Sequence, residues 1–170
     1  NGTGPFFLIK DTGQEALFAA RFRLAKFAVE IAEDPFQIAG TDYPAGSWVL
    51  RSQDELEPAI RKVASELALD FDSTSPIPEV RRHDAGVPRL GIYVPWADTA
   101  SIGWIRYALD KERIPYVYLR DEDIREGRLL GKADVILYGD VRLDLQGQIH
   151  GIAPTSGPMP FRPSPEFPNL

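Results

Sequence analysis

The side chains with the most chemical potential gather in one short stretch: Tyr93, Pro95, Trp96, Asp98 and Thr99, with Trp104 soon after. Indoles and a phenol offer flat faces to a sugar ring or a peptide end, and a carboxylate and a hydroxyl can fix its polar groups. The same residues also suit a structural role, with Trp96 and Trp104 capping a sheet and filling its core. Asp121, Glu122 and Asp123 bring carboxylates together, the raw material of a general acid and base. Acids in succession ahead of Ile124 also match the first turn of a helix, where they complement the positive end of its dipole.

Other chemistries lack their residues. A zinc site needs about three close protein ligands. The only histidines, His83 and His150, stand outside any His-x-x-Glu or His-Glu-x-x-His spacing, so no metal site is expected. The chain has no cysteine, which removes thiolate nucleophiles, disulfides and cysteine-ligated metals. Gly-x-Ser-x-Gly is absent, and Ser156-Gly157 sits among prolines with no strand before it. Neither a P-loop nor a Gly-x-Gly-x-x-Gly after a strand occurs. No catalytic residue and no cofactor is therefore expected within this chain.

A net charge of −6 argues against nucleic acid, whose phosphates demand a basic face. Arg81-Arg82-His83 is followed at once by Asp84. No run approaches the roughly 20 apolar residues of a membrane-spanning helix. The opening Asn1-Gly2-Thr3-Gly4-Pro5 has no signal-peptide character, and the chain is expected to be a piece of something longer.

The elements that would position these residues follow from periodicity. With 44% apolar and 26% charged residues, a packed core is expected. Phe6–Ile9 reads as a buried strand. Thr12 and Glu15 have the spacing of a capping box, which predicts a helix to about Lys26 with Leu17, Ala20, Leu24 and Phe27 on one face. Phe18, Phe22 and Ala25 form a second apolar stripe on it. That stripe is either sandwiched within its own domain or meets a partner, which makes Phe18 and Phe22 candidate interface residues.

Strands are expected over Phe27–Ala32, Phe36–Ala39 and Ser47–Leu50, with a turn at Tyr43-Pro44-Ala45-Gly46. A helix starting near Glu57 carries Leu56, Ile60, Val63 and Leu67, with Pro58 tolerated in its first turn. Residues 73–88, rich in Pro, Ser and Thr, read as a linker between subdomains over 1–72 and 89–140.

Beyond it, strand alternates with helix. Leu90–Val94, Tyr116–Leu119 and Val135–Tyr138 are strands, the last apolar throughout as if covered on both faces. Ile102, Ile105 and Leu109 mark a helix ending near Arg113. A short helix begins at Asp121 and stops at Gly127. Such alternation implies right-handed crossovers and a parallel sheet. Three strands are few, so others should come from the first subdomain or lie beyond the chain. Residues 141–170, crowded with prolines, read as an extended tail.

The expected fold is thus α/β: a mostly parallel sheet flanked by helices, flavodoxin-like or amidotransferase-like and incomplete, with a smaller α/β subdomain in front. Ligands bind such sheets at the loops after the strands, which is where Tyr93 to Thr99 fall.

Several of these stretches carry a family resemblance: Arg89-Leu90-Gly91-Ile92-Tyr93-Val94-Pro95-Trp96, the helix Ser101 to Leu109, Ile114-Pro115-Tyr116, Asp121 to Gly127, Ala133 to Leu137, and upstream Tyr43 to Val49. Together, over most of residues 5–138, they resemble the C-terminal region of large bacterial zinc carboxypeptidase-like proteins. There a carboxypeptidase A-type domain precedes a region similar to class I glutamine amidotransferases. The resemblance implies a non-catalytic accessory region that positions the peptidase domain, aids dimerisation or binds part of the substrate. It also implies zinc held only in the peptidase domain, that domain as partner, and a periplasmic or extracellular location. Amidotransferase activity needs a cysteine and is excluded. The residue-based rival is a sugar- or peptide-binding module at Trp96, Asp98 and Trp104.

Overall fold

Phe6–Ile9 (β1) is buried at every position, because both faces of its sheet are covered. In the computed structural model, which describes residues 4–95, 99–142, 144 and 146, the chain divides into two units, Asn1–Val87 and Pro88–Leu170.

In the first unit β1 is followed by α1 (Ala16–Arg23), β2 (Glu30–Ala32), β3 (Phe36–Ile38), β4 (Thr41–Tyr43), β5 (Trp48–Arg51), α2 (Leu56–Leu67), β6 (Asp72–Thr74) and β7 (Arg82–Asp84). Five of the strands form one sheet in the order β6-β1-β5-β2-β7, antiparallel at every pairing. The expectation of a mostly parallel fold is therefore corrected: a parallel sheet exists only in the second unit.

Register divides the core. Phe7 lies opposite Leu50 and Ile9 opposite Trp48, and these pack with Leu17 and Ala20 of α1 and Leu56, Ile60 and Val63 of α2. Phe6, Leu8 and Val49 point the other way, onto Tyr43 and the half-buried Phe36 and Ile38 of the β3–β4 hairpin. The hairpin turns on Ala39 (φ 50) and Gly40 (φ 81), the two left-handed positions of a type I′ turn.

Residues 73–88, expected as a linker, instead supply both edges of this sheet. Leu8 pairs with Asp72 and Phe7 with Ser73 on one side, while Ile31 pairs with His83 on the other. Strands this short have too few side chains to show a period, and the prolines between them mask the pattern.

The capping box is also corrected. Thr12 Oγ1 donates to Gln14 Oε1 at 2.7 Å and Gly13 N–H donates to Asp11 Oδ1 at 2.8 Å. The hydroxyl serves a loop, and α1 starts later. It stops at Arg23, yet Leu24 and Phe27 remain in the core.

The second unit contains β8 (Leu90–Tyr93), α3 (Thr99–Glu112), β9 (Tyr116–Leu119), α4 (Asp121–Glu126), a 3-10 turn at Leu129–Gly131, and β10 (Val135–Tyr138). Both pairings are parallel, in the order β10-β8-β9. A Cβ on Gly91, in the central strand, would sit 2.7 Å from Leu119 Cδ1; glycine there lets the elements close up.

The first crossover runs outward and the second returns past β8, so right-handedness puts α3 and α4 on opposite faces. The contacts agree. Arg106 of α3 lies over the Tyr118 ring, 5.2 Å from its centre; Asp121 of α4 bonds to Tyr93, which alternation places on the other face.

One of the two sources expected for further strands is excluded, and the reading of β10 fails. The first unit's strands form their own sheet, so among the described residues this one has three strands. And β10 is an edge strand with Val135, Ile136 and Tyr138 exposed, not a strand covered on both faces. Its apolar run does not distinguish the two.

Candidate functional site

The chain reverses its direction of travel across the sheet between β8 and β10, and the ends of these strands form the switch point at which open α/β sheets take ligands. Tyr93 closes β8 and Tyr138 closes β10, and register pairs them. Their rings stack with centres 5.3 Å apart and planes 9° from parallel. The Tyr93 hydroxyl donates to Asp121 Oδ1 at 2.7 Å.

Asp121 is held there because α4 begins at once after β9. The Arg120 backbone N–H donates to Asp123 Oδ2 at 2.8 Å, which fixes the first turn. Burial, and then the hydrogen bond to Asp121, raise the Tyr93 phenol above its ordinary range. Tyr93 is therefore a neutral donor locked onto a carboxylate.

Of the residues expected at this crevice, Tyr93 stands at the strand end and Thr99 opens α3, exposed. Trp96 and Asp98 lie outside the described residues. Trp104 does not join Tyr93. It lies two residues from the sheet-facing Ile102, which turns it outward by about 200°, and it is 73% exposed. Its role as a core filler is corrected for the same reason. It meets Tyr107 edge-on at 6.0 Å, beside an open hollow of about 620 Å³ bordered by Ala100 and Gly103.

The interface candidates separate. Phe22 is buried and Phe18 is 51% exposed, their rings edge-on at 5.2 Å. The second stripe on α1 is thus half internal and half outward.

Two of the three acids that open α4 are engaged, while Glu122 Oε1 is buried without a hydrogen-bond partner among the described residues. Asp121 takes the Tyr93 hydroxyl, while Asp123 accepts from the Lys132 ammonium and then the Arg120 N–H, which hold its carboxyl below the usual range. His83 lies on β7 with Nδ1 3.3 Å from Glu33 Oε1; His150 falls outside the described residues. Among the described residues no three His, Cys, Asp or Glu side chains gather to hold a metal ion. No described helix is long and apolar enough to cross a membrane.

Sequence reasoning missed Tyr138 and the link from Tyr93 to Asp121. Both depend on which strands are neighbours. The only signal was the phenol at the end of each strand.

Comparison with protein-family models, with curated proteins and with solved structures gives no match for this chain.

Proposed function

We propose that the chain is a non-catalytic accessory region of a zinc metallocarboxypeptidase-like protein, and that it docks onto the peptidase domain or forms a homodimer. The observation that carries this reading is apolar surface left open in the second unit. Trp104 and Tyr107 project from α3, and Val135 and Ile136 of β10 are exposed. Of these, Trp104 and Tyr107 touch, and paired exposed aromatics suit a docking surface. Phe18 on α1 offers a further outward aromatic.

The family assignment rests on the sequence resemblance. On it, the parent removes C-terminal residues from peptides in the periplasm or outside the cell. On the same resemblance zinc belongs to the peptidase domain, and a His-x-x-Glu with a distant His in the parent open reading frame would support that link.

Sedimentation of the chain with the separately produced peptidase domain tests the docking. Phe18→Asp and Trp104→Asp each change an exposed side chain and should leave circular dichroism unchanged. Association weakened tenfold or more by either supports docking; equal association in all three proteins removes it. Phe22→Asp is unsuitable because Phe22 is buried.

The stacked Tyr93 and Tyr138 at the switch point favour a second reading, a sugar- or peptide-binding module for which Trp96 and Asp98 are the sequence candidates. Quenching of tryptophan fluorescence by a glycan or peptide, lost in Trp96→Ala, is its expected signature. Silence across a panel of both would dismiss it.

A further inference from the structure

In the first unit a half-open cleft of about 430 Å³ lies at one end of the antiparallel sheet. One wall is the path from β1 into α1, with Lys10, Thr12, Gln14 and Ala16; the other is the exit of α2, with Leu67 to Asp70, and the start of β6 at Asp72. Its volume falls within the range of small-molecule sites.

The lining is unusual in its charges. Lys10 lies over the Tyr43 ring, 5.4 Å from its centre, but among the described residues neither Lys10 nor Asp70 has an ion-pair partner. Asp72 spends one oxygen on the Tyr43 hydroxyl at 2.5 Å, leaving the other. Lys10 and Asp72 thus flank the same ring without forming an ion pair, and Asp70 borders the cleft at the exit of α2. The carboxylates lie toward the end of α2, whose terminal carbonyls add negative partial charge. Of the remaining lining, Ala16, Leu67, Ala68 and Leu69 are apolar, while Thr12 and Gln14 are polar and bonded to each other.

We propose that this cleft binds a small zwitterion of the α-amino acid type. The ligand carboxylate meets the Lys10 ammonium. The ligand ammonium meets Asp70 and the end of α2, and its side chain rests on Leu67 and Leu69. Charge-assisted hydrogen bonds at both ends supply the selection, since a ligand lacking either charge leaves one protein group without its partner. The aromatic ring beneath Lys10 steadies the ammonium.

Neither Phe18 nor Trp104 lines this cleft, so loss of docking and loss of this binding are separable. The test is an amide NMR titration of the whole chain with L-leucine at low salt, beside 3-methylbutylamine and 4-methylpentanoate. These analogues keep the side chain and delete the carboxylate or the ammonium. Saturable shifts confined to the amides of Lys10, Thr12, Ala16, Leu69 and Asp70 are expected with leucine. Each analogue should bind at least tenfold more weakly. Lys10→Met and Asp70→Asn replace exposed or half-buried groups and should each weaken leucine binding at least tenfold, while distant amides keep their positions. Absence of saturable shifts, an analogue that binds as well as leucine, or either folded variant binding as the parent does would overturn the proposal.

Discussion

At the scale of single residues, Arg89 and Asp134 form a contact of several hydrogen bonds in the second unit. The guanidinium donates to Asp134 Oδ1 at 2.7 Å and Oδ2 at 3.1 Å, and the Arg89 backbone N–H donates to Oδ2 at 2.8 Å. The side-chain bond, and then the backbone bond, bring the Asp134 carboxyl down to about 2. In the unfolded chain it titrates near the ordinary value of about 3.9. Because the folded value is the lower one, the contact's contribution is complete above about pH 4 and is lost as pH falls toward about 2. Asp134→Asn removes the titrating group but leaves Arg89 bonded to the Leu130 and Gly131 carbonyls. The gap in thermal midpoint between parent and variant should therefore be widest near neutrality and close as the solution is acidified through that window. A gap constant with pH would mean that Asp134 is not the group responsible. Both residues are exposed, so the effect belongs to the modest range of surface pairs.

At the scale of elements, what was legible in the sequence depended on length and on burial. The stripe Leu56, Ile60 and Val63 named α2, and all three are buried. The apolar run at β1 and the β8-α3-β9-α4-β10 alternation were equally plain. Three-residue strands such as β6 and β7 were not, because pairing with β1 and β2 rather than their own pattern makes them strands. Thr12 was misread since a hydroxyl that can cap a helix can also close a turn. The candidate site was half legible: the strand-end position of Tyr93 followed from the alternation, whereas the neighbour that completes it required the strand order.

The same scale holds a device with no sequence signal. Helix α2 ends in Ala68 at φ 52, with the Leu69 N–H donating to Ala64 O at 3.0 Å and Leu69 buried. This is the hydrogen bond and apolar contact of a left-handed helix end, a position that glycine occupies without strain. Ala68→Gly should stabilise the first unit by about 0.5–1 kcal/mol, read as a higher urea midpoint with unchanged slope. Destabilisation would show that Ala68 makes a contact worth more than its backbone strain.

At the scale of the whole molecule, the two units differ in how fully they hide their apolar faces. The first unit's sheet is covered by α1 and α2 on one side and by the hairpin on the other, both made from its own residues. The second unit buries Leu90, Ile92, Ile102, Leu109 and Leu119, yet leaves Val117, Tyr118, Val135 and Ile136 exposed. Regions with less buried apolar area open at lower free energy. Hydrogen-bonded amides of β1 and β5 should therefore exchange only through unfolding of their unit. Those of β10 should exchange on the order of 100-fold faster, a difference of roughly 3 kcal/mol in opening free energy at about 1.4 kcal/mol per factor of ten. The same measurement bears on the accessory role. If the peptidase domain covers α3 and β10, adding it slows β10 exchange and leaves β1 unchanged. A β10 already as slow as β1 in the isolated chain would show that its exposed residues carry no unmet demand for a partner, and the argument from open apolar surface would fall with it.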